Sequence, residues 1–219
     1  MKKIIEGLVK FQKEVFPSHE ELFSQLATGQ SPEVLFITCS DSRIAPTLLT
    51  QTKPGELFII RNAGNIVPAY GQAIGGVTGT IEYAVSALKV KDVIICGHSD
   101  CGAMKGVLYP DKVASLKSVA AWLHHGDAAR AVVVENFSHL SEEEKLITLT
   151  EQNVLAQLRN IQTHPSVAGA LQAGRLRLHG WIYHIGTGQV TAYHHQKGAF
   201  VAVTESSEPE KLAFAGGKV

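Results

Sequence analysis

Three cysteines are too few, and too odd in number, for a disulfide framework in a chain of 219 residues. Cys39, Cys96 and Cys101 are therefore core thiols, metal ligands or nucleophiles in a reducing compartment. Net charge is missing too, because 20 basic residues balance 20 acidic ones. No global field draws the chain to nucleic acid or to an anionic membrane surface. A zero net charge also does little to oppose self-association. No apolar run is long enough to span a bilayer. The opening stretch MKKIIEGLVKFQKEVF starts basic, but Glu6, Lys10 and Lys13 interrupt its apolar residues, so it is not read as a signal peptide. The expectation is a cytoplasmic protein with neither a membrane nor a nucleic acid as partner. Internal repeats, low-complexity tracts and linkers are absent as well. One domain over residues 1–219 is expected, at a length common for a single α/β domain with a sizeable core.

What is present is an order of patterns. Ile4, Ile5, Leu8, Val9, Phe11, Val15 and Phe16 form a helical stripe that Pro17 should stop. Ser18, with Glu21 three residues on, reads as the capping box of a second short helix to about Thr28. Residues 1–28 are thus a helical arm, free to fold back or to cross to another copy. Three nearly continuous apolar runs follow at 34–38, 57–60 and 93–96. Strands covered on both faces look like this, as in buried parallel sheets. Residues 76–88 lie between the last two and repeat at helical spacing. Further helices are predicted over 113–124, 127–137, 142–162 and 166–173. Residues 176–185 and 189–194 flank Gly186-Thr187-Gly188 and predict a C-terminal β-hairpin. A tail over 204–219 is expected to fray. The fold class is α/β, with a mainly parallel central sheet flanked by helices.

The chemistry-bearing residues cluster just past two predicted strand ends, at Cys39-Ser40-Asp41-Ser42-Arg43 and at Cys96-Gly97-His98-Ser99-Asp100-Cys101-Gly102. Open α/β sheets bind ligands at the carboxyl ends of their strands. His98 and Cys101, three apart, suit chelation of one ion, and Cys39 supplies a second thiolate from another strand. Two thiolates and one imidazole select a zinc-like ion and leave a fourth position for water or substrate. Cys96, inside an apolar run, reads as a core thiol. Asp41 and Arg43 project to the same side of an extended segment. The planar guanidinium matches a carboxylate. Asp41 either accepts a hydrogen bond from a metal-activated water or ligates the metal itself.

The segments CSDSR, GELFIIRNAGN, IEYAV and CGHSDCGAMKG resemble the β-class carbonic anhydrases, from about Leu35 to Leu108, and more loosely through Gln152–Pro165 and LHGWIY. The likeness is greatest to the plant-like bacterial type, including the cyanase-associated enzymes. This resemblance implies one Zn2+ per chain on Cys39, His98 and Cys101, with Asp41 and Arg43 as a dyad. It implies reversible hydration of CO2 to bicarbonate through a zinc-activated water, whose pKa drops from about 15.7 to about 7. It implies a CO2 pocket of Gln30, Ile44, Phe58, Tyr83 and Gly102, some reaching across a dimer interface, and a homodimer or an oligomer of dimers. Some bacterial relatives bind bicarbonate at a regulatory site of a Trp, an Arg and a Tyr. Here Arg61 and Tyr183 match, but Phe36 stands at the Trp position. An open site, with Asp41 off the metal near neutral pH, is therefore expected.

Two rivals share these residues. A COS or CS2 hydrolase would use the same zinc set. A non-enzymatic zinc-binding or redox-sensing module would need a closed, four-ligand site or a reactive thiol. A Cys101–His98 hydrolase is weaker, because no G-x-S-x-G oxyanion motif accompanies them.

Overall fold

The computed structural model describes residues 1–214. They divide into an N-terminal unit, Met1–Ser31, and a body that begins at Pro32. In the first unit, α1 (Lys2–Lys10) runs into a π-helical turn (Phe11–Val15) and the single turn α2 (Phe16–Ser18), followed by α3 (Glu20–Leu26). The helical path ends after Ser18 rather than at Pro17. The wide π turn precedes the proline, whose ring and missing N–H a regular ladder does not accept. Ser18 does not form the expected capping box. Its hydroxyl donates back to the Val15 carbonyl at 2.7 Å, and α3 starts after His19 without a side-chain cap. Phe11, Phe16 and Phe23 form a ring cluster, while Ile4, Ile5, Leu8 and Val9 stay exposed.

The body runs β1 (Val34–Cys39), α4 (Pro46–Thr50), β2 (Leu57–Asn62), α5 (Gly76–Glu82) with a π turn at Tyr83–Ala87, and β3 (Asp92–His98). Then come α6 (Gly102–Leu108), α7 (Lys117–Leu123), α8 (Asp127–Asn136), α9 (Glu142–Gln162), α10 (Pro165–Gln172), β4 (Arg177–Tyr183), β5 (Val190–His194) and β6 (Ala199–Ala202). The sheet order is β2-β1-β3-β4-β5-β6. The first four strands are parallel, and β5 and β6 are antiparallel additions. The hairpin turns where expected, with Gly188 at φ 74°. The single helix expected over 113–124 is instead a 3-10 turn (Pro110–Val113), then α7, then a second 3-10 turn (His124–Gly126). Leu116, at φ −96° and ψ 73°, breaks the helical path between them.

One sheet face carries Leu35, Ile37, Val93, Ile95, Leu178 and Ile182 into a core with Val154, Leu158 and Ile161 of α9. Gly180 permits that approach, since a Cβ there would meet Leu158 and Val154 at 2.8 Å. On the other face Phe36, Ile94 and Cys96 pack with Leu49 and Trp181. Burial on both faces is why the strands read as continuous apolar runs. The helix α9 begins sharply because Ser141 and Glu144 form a reciprocal capping box. Residues 204–214, expected as part of a fraying tail, return to the sheet. Leu212 is buried, and the Phe214 N–H donates to the Leu178 carbonyl at 2.6 Å. Residues 215–219 of that tail lie outside the described residues.

Candidate metal centre

Cys39 is the last residue of β1 and His98 the last of β3. The chain leaves β1 for β2 on one side and returns to β3 on the other, so the two ends meet at a topological switch point, where such sheets open a crevice. Asp100, at φ 55°, turns the chain and delivers Cys101 to the start of α6. The donor atoms of Cys39, His98 and Cys101 lie within 4.8 Å of one another, and all three residues are buried. The two sulfurs are 3.9 Å apart. Tetrahedral zinc with Zn–S bonds of about 2.3 Å needs sulfurs about 3.8 Å apart.

The protonation pattern fits a cation as well. His98 Nδ1 lies 2.9 Å from the Ser99 carbonyl. A carbonyl only accepts, so Nδ1 carries the proton and Nε2 keeps its lone pair. That Nε2 is buried and has no hydrogen-bond partner among the described residues. Cys39 is pulled down to about 4, chiefly by a hydrogen bond from Cys101, with His98 and the Gly64 N–H adding to it against burial. Cys101 is pushed up by the same hydrogen bond and by burial. The pair thus shares one proton where a soft cation would take two thiolates. Cys96 differs: fully buried in the sheet core, its thiol is pushed up to about 12.

Several supports escaped the sequence reading. The Gly64 N–H donates to Cys39 Sγ at 3.4 Å. Arg61 braces the backbone beyond β1, donating to the carbonyls of Cys39 (3.1 Å) and Asp41 (2.7 Å). A row of amides on α9 pins the loop that carries Gly64. Asn153 donates to the Gly64 carbonyl at 3.0 Å, Gln157 accepts from the Val67 N–H at 2.9 Å, and Asn160 donates to the Val67 carbonyl at 3.0 Å. The signal was there: amides at helical spacing on the buried face of an apolar helix require partners.

Asp41 stands at the edge of the ligand group, with Oδ2 3.8 Å from His98 Nε2. It is gripped by Arg43, whose Nε and NH2 donate to its two oxygens at 2.9 and 2.8 Å. Those hydrogen bonds hold its carboxyl well below the usual carboxylate range. Ile44 is buried in the cluster that contains Cys39 and Cys101, and Gly102 is the exposed first residue of α6. Phe58 and Tyr83 pair with each other, ring centroids 6.0 Å apart. Phe58 is in register with Leu35, four residues before Cys39, or roughly 13 Å along the strand. Gln30 is exposed at the end of the N-terminal unit. Phe36 is fully buried with its ring edge-on to Trp181.

The family model described as "Carbonic anhydrase" matches residues 34–190. A protein named "Carbonic anhydrase" from Pseudomonas aeruginosa is 50% identical over 216 residues, 99% of this chain and 97% of the relative. "Carbonic anhydrase 1" of Escherichia coli O157:H7 is 52% identical over 201 residues, 92% of this chain and 91% of the relative. Among solved structures, the beta-carbonic anhydrase CcaA superposes with a TM-score of 0.91 at 49% identity, covering 93% of this chain and 99% of that one. One of two structures described as tetrameric beta-carbonic anhydrases from Sordaria macrospora gives 0.80 at 30% identity, covering 92% and 98%.

Proposed function

This chain belongs to the β-class carbonic anhydrases, and on that premise we propose how its own side chains serve the reversible, zinc-dependent hydration of CO2 to bicarbonate and a proton. Cys39, His98 and Cys101 would hold the ion. Zinc, when bound, supplies a Lewis acid that makes a hydroxide nucleophile available near neutral pH. Asp41 would accept a hydrogen bond from that nucleophile and orient it toward CO2. Arg43 keeps Asp41 ionised and turned off the metal, so the working arrangement near neutral pH is the open one. Ile44 supplies an apolar wall and Gly102 leaves room at the start of α6.

Gln30, Phe58 and Tyr83 complete the CO2 pocket of a second copy rather than their own. The distance of the Phe58–Tyr83 pair from its own Cys39 supports this. The working unit is therefore at least a dimer. Two thiolate ligands fit the reducing cytoplasm. Among the described residues no helix is long and apolar enough to cross a membrane.

The observation that carries this reading is one group of three buried donors with a carboxylate pinned beside it. Asp41→Asn and Arg43→Ala test it. Both variants should keep zinc while kcat/KM for CO2 hydration falls at least about tenfold. Wild-type rates in both would remove the dyad from the mechanism.

A further inference from the structure

Arg43 is 43% exposed, and an exposed ion pair is by itself weakly held. Yet its guanidinium is fixed from two sides. Nε and NH2 reach Asp41. NH1 donates to Asp100 Oδ2 at 3.0 Å, and NH2 also donates to the Asp100 carbonyl at 3.1 Å. Four of the five donors that a guanidinium offers are thus shared between two aspartates. The other Asp100 oxygen pairs with Lys105 on α6, so that carboxylate is itself anchored to a helix. Asp100 belongs to the turn between two metal ligands, where its φ of 55° is a conformation that Asp and Asn tolerate better than other side chains.

We propose that Asp100 is a positioning residue for CO2 hydration: its carboxylate and carbonyl hold the Arg43 guanidinium in the plane from which it grips Asp41. Without that second hold, Arg43 rotates into solvent and Asp41, already 3.8 Å from His98 Nε2, turns toward the metal. Asp100 is not one of the three metal-binding donors and acts through Arg43. The inference rests on the Asp41–Arg43 reading given above.

Two variants separate the role from mere folding. Asp100→Gly removes the carboxylate and eases the positive φ. Asp100→Asn keeps an acceptor for Arg43 NH1 and tolerates the same backbone. The Gly variant should retain zinc and its unfolding midpoint while kcat/KM falls about three- to tenfold, the range for a partly exposed, charge-assisted hydrogen bond. The Asn variant should recover most of that loss. With cobalt replacing zinc, the visible spectrum of Asp100→Gly should change as Asp41 enters the ligand set. Adding Asp41→Asn should abolish that change. A Gly variant with wild-type kcat/KM and spectrum, one that loses its metal, or an Asn variant as impaired as Gly would overturn the proposal. Arg43→Ala is measured alongside. If it is impaired while Asp100→Gly is not, only the Asp100 role fails. If both match wild type, the Asp41–Arg43 reading fails with it.

Discussion

A side chain's type announces its chemistry, whereas a backbone donor announces nothing. Cys39, His98 and Cys101 were legible because two thiols and an imidazole at two strand ends have few other uses. Asp41 and Arg43 were legible as an ion pair, but not for the reason of an extended segment: Ser42 and Arg43 form a turn, closed by the Ile44 N–H on the Asp41 carbonyl at 3.1 Å. Gly64 was not, since its contribution is an N–H aimed at a sulfur. Asp100 was not, because its partner Arg43 lies 57 positions earlier in the chain, past the end of the neighbouring strand β1. Ser18 shows the converse. Its sequence context fits a capping box, but its hydroxyl found the Val15 carbonyl behind it. Gly64 combines φ 82° with a site where a Cβ would meet Met104 Cε at 2.9 Å and Ala103 Cβ at 3.2 Å. Gly64→Ala should therefore cost on the order of 1–2 kcal/mol and draw the N–H off Cys39. A lower urea midpoint together with faster zinc loss to a chelator is expected. Unchanged zinc retention would mean the Gly64–Cys39 contact is incidental.

At the scale of elements, the parallel strands and α9 were readable because both burial patterns are strong. Doubly covered strands give unbroken apolar runs, and a long amphipathic helix repeats its face several times. β6 went unread. It is four residues long, Ala199–Ala202, and pairs on one side only with β5, so no doubly buried run marks it. The break at Leu116 is a local backbone choice that apolar spacing does not encode.

The β3–β4 pair carries a pH prediction. Asp92 at the start of β3 accepts from Arg177 Nε and NH2, both at 2.7 Å, and lies 2.8 Å from His179 Nε2. Burial alone would raise its pKa, but His179 and Arg177 together bring it from 3.8 down to about 2. The folded value is below the unfolded one, so the carboxylate stabilises the fold above about pH 4. That contribution is lost as pH falls toward about 2. Its size is on the order of 1–2 kcal/mol, discounted because Arg177 is half exposed. The urea midpoint of Asp92→Asn should lie below wild type at pH 6, and the gap should close as pH approaches 2. A gap independent of pH would assign the loss to packing instead.

For the whole molecule, the sheet's switch point decides where chemistry is possible, and the sequence located it through two motifs at strand ends. Assembly was less legible, because a stripe of apolar residues does not say what covers it. Ile4, Ile5, Leu8 and Val9 remain exposed in a single copy, and a helix with such a face asks for cover. Sedimentation should therefore give a mass of at least twice 23.6 kDa, and deletion of residues 1–28 should lower it. A fully active species at the monomer mass would contradict the shared CO2 pocket.

The most direct test of the account is zinc content and stopped-flow CO2 hydration measured on the same preparations of wild type and Cys39→Ala. The expected result is one zinc per chain with rapid hydration in wild type, and loss of both in the variant with the fold retained. Rapid hydration by metal-free protein, or a Cys39→Ala variant that keeps both zinc and rate, would contradict it.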